Sequence, residues 1–113
     1  MAREYMPKYI RHEVWKRITS VIRDYNQLKA EYNALTAHST NHAEIREKEL
    51  RRKLYAFEKT FNAADEEIKE LVRERFWKQR IYRDIMMPMS ESTMKRYVRK
   101  FVLEVGRNLG EIE

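Results

Sequence analysis

Apolar side chains recur at alternating steps of four and three from the fourteenth residue onward: Val14, Ile18, Val21, Tyr25, Leu28, Tyr32 and Leu35. That spacing predicts one long amphipathic helix with a narrow seam. Pro7 suits its first turn, where a missing N–H costs nothing. The helix would run about 28 residues, roughly 42 Å. Trp15 and Ile22 widen the stripe, so more than one neighbour is expected. Residues 36–42 lose the pattern and are rich in cap and turn residues, which predicts a loop. Leu50, Leu54, Phe57 and Phe61 then mark one face of a second helix, with Glu47/Arg51 and Glu49/Lys53 as favourable i,i+4 pairs on its surface. With the first it makes an antiparallel hairpin. Asn62 is the candidate N-cap of a third helix that has Asp65, Glu66 and Glu67 in its first turn. This helix would bury Ile68, Leu71, Val72 and Phe76 and end near Trp77.

Residues 78–100 carry the most information. A short amphipathic segment with Ile81 and Ile85 as its core pair predicts a fourth helix, and a turn containing Pro88 follows. Pro88 pushes Met87 towards extended geometry and stops the helix before it. Met89 is placed to plug the corner, and Ser90 caps a fifth helix. That helix has two faces. Met94, Tyr97, Val98 and Phe101 form an apolar stripe, while Ser92, Lys95, Arg96, Arg99 and Lys100 form a row of donors able to reach phosphates and guanine edges. The layout predicts a helix-turn-helix whose recognition helix begins after Ser90. A solvated basic face on an ordinary helix fits the same charges. Cap, turn and corner at one place favour DNA contact. Gly110 is the expected C-terminal cap.

Charge sharpens this picture. The formal net charge is +6 and the pI about 9.6, which favours an anionic partner without separating nucleic acid from acidic protein. Residues 37–72 hold 7 Lys/Arg against 8 Asp/Glu, whereas 78–100 hold 7 against 2. The excess sits on the motif and suggests roughly five or six phosphate contacts. With two Gly, two Pro and abundant helix formers, an all-α fold is expected. There is no cysteine, which excludes disulfides and thiolate metal sites. No apolar run approaches membrane-spanning length, and residues 1–10 lack the apolar core of a signal peptide, so a cytoplasmic protein is expected. His38 and His42 share a spacing of four but lack a third ligand, and His12 reads as an exposed residue of the first helix. No nucleophile–base pair, glycine loop or acid cluster suggests catalysis, so no enzyme activity, cofactor or metal is expected.

Several segments resemble one known group. Leu71-Val72-Arg73-Glu74-Arg75-Phe76-Trp77, the run from Met89 to Tyr97, Arg99-Lys100-Phe101 and Val105-Gly106-Arg107-Asn108-Leu109-Gly110 look like the RinA/ArpU phage regulators of late gene transcription in Gram-positive hosts. Ile22-Arg23-Asp24-Tyr25-Asn26, with Lys29 and Tyr32, resembles that group's first helix. The resemblance implies a sigma-factor-like C-terminal helix-turn-helix acting as an activator. It also implies base-edge readers one, two, five and six residues after the cap serine, here Glu91, Ser92, Lys95 and Arg96, with Arg99 and Lys100 on phosphates. Two positions depart from the group's pattern. Arg83 stands where an apolar residue is usual, seven before the serine, and Pro88 occupies a turn that usually holds glycine.

The expected organisation is a helical hairpin over 1–61, available for dimerisation, and a helix-turn-helix region over 62–113. The seam fits either a hairpin core or a coiled coil between two copies, so a homodimer stays open. Double-stranded DNA is the expected partner, contacted by Glu91, Ser92, Thr93, Lys95, Arg96, Arg99 and Lys100, with Arg80 and Arg83 on the preceding segment. Host RNA polymerase or a sigma factor is a further expected partner. Two other readings stand beside this one: a small-terminase-like DNA-recognition subunit, and a module whose basic face binds polymerase or a sigma factor.

Overall fold

The computed structural model describes residues 6–37 and 44–113. Among the described residues five α-helices form in chain order: α1 (His12–Arg23), α2 (Tyr25–Ala37), α3 (Glu44–Ala63), α4 (Glu66–Val72) and α5 (Glu91–Leu109). A π-helical turn (Arg73–Trp77) continues α4, and a 3-10 turn (Tyr82–Asp84) lies in the connection to α5. No strand occurs among the described residues, and the protein is all-α. None of the described helices is long and apolar enough to cross a membrane.

α5 is the central element, packing on α1, α3, α4 and the 3-10 turn. Its buried residues Met94, Val98, Phe101, Val102, Val105 and Leu109 follow the three-and-four spacing of a helix stripe. They meet Ile18 and Ile22 of α1, Phe57 of α3, and Leu71 and Val72 of α4 in one core. α5 begins at Ser90, whose Oγ accepts from Thr93 N at 3.2 Å. It ends at Gly110 in the left-handed region, φ 78, where the amides of Gly110 and Glu111 return to Arg107 O and Gly106 O. That is a Schellman termination, and it suits glycine because a Cβ is disfavoured at that φ. The cap expectations at Ser90 and Gly110 hold.

The first apolar seam is not one helix. It starts at His12, with Pro7 in a preceding turn closed by Ile10 N to Pro7 O, and it breaks at Asp24. Upstream of the break, Val14, Ile18 and Val21 are buried in the core; downstream, α2 has no fully buried residue. Tyr25 and Glu31 of α2 face Glu58 and Arg46 of α3 in reversed order, as in antiparallel helices. Leu50 and Leu54 are buried on that part of α3, apart from the main core. Helix α2 continues to Ala37, past the expected start of the loop; His38 and His42 lie outside the described residues.

Two further boundaries differ from expectation. α3 runs through Asn62 to Ala63, and Asp65 is the N-cap position of α4, without a side-chain cap bond. The fourth helix expected before the Pro88 turn does not form. The π turn ends at Gln79 in a left-handed conformation, φ 53, with Arg80 N bonded back to Glu74 O. Lys78 to Arg80 are thereby used in ending a helix, and Pro88 restrains Met87 from the other side. The stretch between has room for one 3-10 turn. Tyr82 and Ile85 are its buried residues, and Ile81, expected in the core, is 37% exposed.

Candidate nucleic-acid interface

The outer face of α5 positions most of the expected contact residues. Ser92, Arg96 and Lys100 are exposed and spaced by four, so they lie along one line of the helix. Arg96 approaches only the ring of its neighbour Tyr97, at 5.6 Å, and neither Arg96 nor Lys100 has an acid partner among the described residues. Thr93 is half-buried and its hydroxyl is held by Ser90 Oγ at 2.9 Å. Glu91 is exposed at the first helical position, where a carboxylate suits the positive end of the helix dipole. It bridges to Lys95 at 3.6 Å.

The remaining cations are less available than the sequence suggests. Arg99 is half-buried and engaged within the protein. Arg80 is exposed but pairs with Glu74 at 2.9 Å, and Lys78 meets the same carboxyl at 2.9 Å. The hydrogen bond from Lys78, with the nearby charges, holds the Glu74 carboxyl below the usual carboxylate range. Arg83 is exposed on the 3-10 turn with no acid partner among the described residues. The structure thus brings Ser92, Lys95, Arg96 and Lys100 onto one helix surface, and carries Arg80 and Arg83 on an irregular segment instead of a helix.

Sequence reasoning passed over two residues that hold this segment in place. Arg75 is 5% exposed. It donates from Nη1 to Arg80 O at 3.2 Å, and its guanidinium lies 4.8 Å from the Tyr82 ring. Lys95 Nζ lies 5.8 Å from the same ring, so Tyr82 links the π turn to the first turns of α5. A signal for Arg75 was present: it falls four after Leu71 and three after Val72, on the apolar side of its helix. Trp77 plays a matching part, its indole N–H donating to Ile22 O at 2.9 Å. Carbonyls in the last turn of a helix lack intrahelical partners, so this bond caps α1 just before its break.

A groove of about 470 Å³ runs along the flank of this face, between the end of α3, the start of α4, and Tyr97, Lys100 and Glu104 of α5. Its charges are mixed, with Lys59 and Lys100 against Asp65, Glu67 and Glu104. Among the described residues no group of three or more His, Cys, Asp or Glu could hold a metal ion. In comparison with known proteins, no family model, curated protein or solved structure matches this chain, so the likeness to the RinA/ArpU regulators rests on the short motifs alone.

Proposed function

We propose that this protein is a sequence-specific DNA-binding transcriptional regulator that lays the N-terminal half of α5 in the major groove. The observation that carries the reading is the line of Ser92, Arg96 and Lys100, exposed on a helix whose opposite face is anchored in the core. A rigid helix presenting donors without acid partners has the geometry that base-edge reading requires. On this reading α4 and its π turn take the place of the supporting helix. The connection over residues 78–90 replaces the three- or four-residue turn of a standard helix-turn-helix. The end of the α2–α3 hairpin farthest from the Phe57 core contact is left for self-association or for a protein partner such as RNA polymerase. The RinA/ArpU resemblance supports a phage late-gene activator in particular.

Arg96 tests the reading. A duplex recovered by selection from a random-sequence pool should bind Arg96→Ala tenfold or more weakly, on the order of the 1–3 kcal/mol carried by a bidentate guanine contact. Binding to unselected DNA and thermal melting should stay nearly unchanged, because Arg96 is exposed. Arg96→Lys should recover only part of the loss, since the planar fork is gone. If both variants weakened every sequence alike, Arg96 would be a phosphate contact and the base-reading role would be lost.

A further inference from the structure

Met86 is 93% exposed, more than any other large apolar side chain described. Its neighbours do not share that exposure. Ile85 is 5% exposed, and Met87 and Met89 pack against the core. Ile85 has extended backbone, φ −84 and ψ 118, so consecutive side chains there point to opposite sides, Ile85 inward and Met86 outward. The methionine is therefore a short apolar projection on an anchored base, with exposed Pro88 two residues on.

The chain on either side of it carries charges of both signs, Asp84 and Glu91 as well as cations. Arg83 precedes it without an acid partner among the described residues, and Lys95 and Arg96 follow on α5. Ser90 is four positions after Met86, so the two lie within about 14 Å even if fully extended. The major groove is about 12 Å wide. With the start of α5 in that groove, a span of this length is enough for Met86 to reach the sugar–phosphate wall and the edge of the adjoining minor groove. A protein partner would be a poor match to so small a feature, because a stable interface covers about 800 Å² on each side. A single base step is the right size, and Met and Pro are among the side chains that architectural proteins insert there.

We propose that Met86 is an apolar wedge, pressed against or into one base step beside the site read by α5, with Arg83 holding the flanking phosphate. This rests on the DNA-binding reading above and adds local unstacking of the duplex to it.

The test uses the full chain and a selected duplex carrying 2-aminopurine at one position at a time through and beside the protected site. Wild type should brighten the probe at one step at the margin of that site. Met86→Ala should abolish the brightening and weaken binding about tenfold, as expected when a methionine loses a buried apolar contact. Its melting should be unchanged. Met86→Leu should keep both brightening and affinity. A duplex that binds with no brightened step, or a Met86→Ala variant indistinguishable from wild type, overturns the wedge and leaves the DNA reading standing. Unchanged DNA binding by Met86→Ala together with weaker binding to purified RNA polymerase overturns it in favour of a protein contact. Failure to bind any duplex from the pool removes the DNA reading and the wedge with it.

Discussion

A methyl group added at Gly106 would lie 2.6 Å from Ile18 Cδ1 and 3.1 Å from Ile112 Cδ1. Glycine in the middle of a helix is otherwise unfavourable by roughly 0.8–1 kcal/mol relative to alanine. Its presence in α5 is explained by the close approach of α1, whose Ile18 is fully buried. Gly106→Ala should therefore destabilise the protein despite the gain in helix propensity. Overpacking costs about 1–3 kcal/mol, which leaves a net loss near 1 kcal/mol, seen as a lower melting temperature at unchanged helicity. An unchanged or raised melting temperature would show that Ile18 and Ile112 can yield. Residues of this kind explain why single positions escape a reading by pattern. Gly106 interrupts an otherwise good helix for the sake of a neighbour eighty-eight positions away, and Arg75 occupies an apolar face because its guanidinium has Arg80 O and the Tyr82 ring to meet.

Among the elements, the two breaks in helical geometry meet each other. Trp77 at the end of the π turn caps Ile22 O at the end of α1, and its ring stands 6.1 Å from Tyr25 and 6.0 Å from Phe57. Tyr25 stacks on Phe57 at 4.4 Å and donates its hydroxyl to Glu58 Oε2 at 2.5 Å, so the first turn of α2 is fastened to α3. Burial, reinforced by that hydrogen bond and the Glu58 charge, pushes the Tyr25 phenol up to about 12 from its ordinary 10.0. The folded chain holds this proton more tightly than the unfolded one. The contribution to stability is thus complete below pH 10 and is lost as pH rises towards 12. Thermal melts across that window should fall more steeply for wild type than for Tyr25→Phe. Parallel pH profiles would mean that the Tyr25 proton is not linked to folding.

At the scale of the molecule, the charge excess of residues 78–100 is smaller in effect than in count. Arg80 shares Glu74 with Lys78, and Arg99 is engaged and half-buried. Arg83, Arg96 and Lys100 remain without acid partners among the described residues, and Lys95 meets Glu91 only at 3.6 Å, against 2.9 Å for Arg80 and Glu74, which argues for about four phosphate or base contacts in place of five or six. The slope of log K against log salt should then lie near −3.5, about a hundredfold loss in affinity between 50 and 200 mM salt. Lys100→Ala should lower the slope by roughly one unit, and Arg80→Ala should leave it close to the wild-type value. A slope near zero would remove the electrostatic basis of the DNA reading, and a large effect from Arg80→Ala would show that the Glu74 pair opens on binding.

Features governed by a few neighbouring residues were legible in the chain itself. The all-α composition, the Ser90 and Gly110 caps of α5 and the buried stripe of that helix follow from short-range propensity and three-and-four spacing. The exposure of Ser92, Lys95, Arg96 and Lys100 was legible too, since a helix with one face buried must present the other, whereas Arg99 of the same expected row is half-buried. The break at Asp24, the π turn, the left-handed Gln79 and the absence of an α-helix over residues 78–85 were decided by tertiary structure. At those places local preference was compatible with continued helix. Capping of Ile22 O by Trp77 and burial of Arg75 against Tyr82 outweighed it. The partners that decide these positions lie far away in sequence, and no window along the chain contains them.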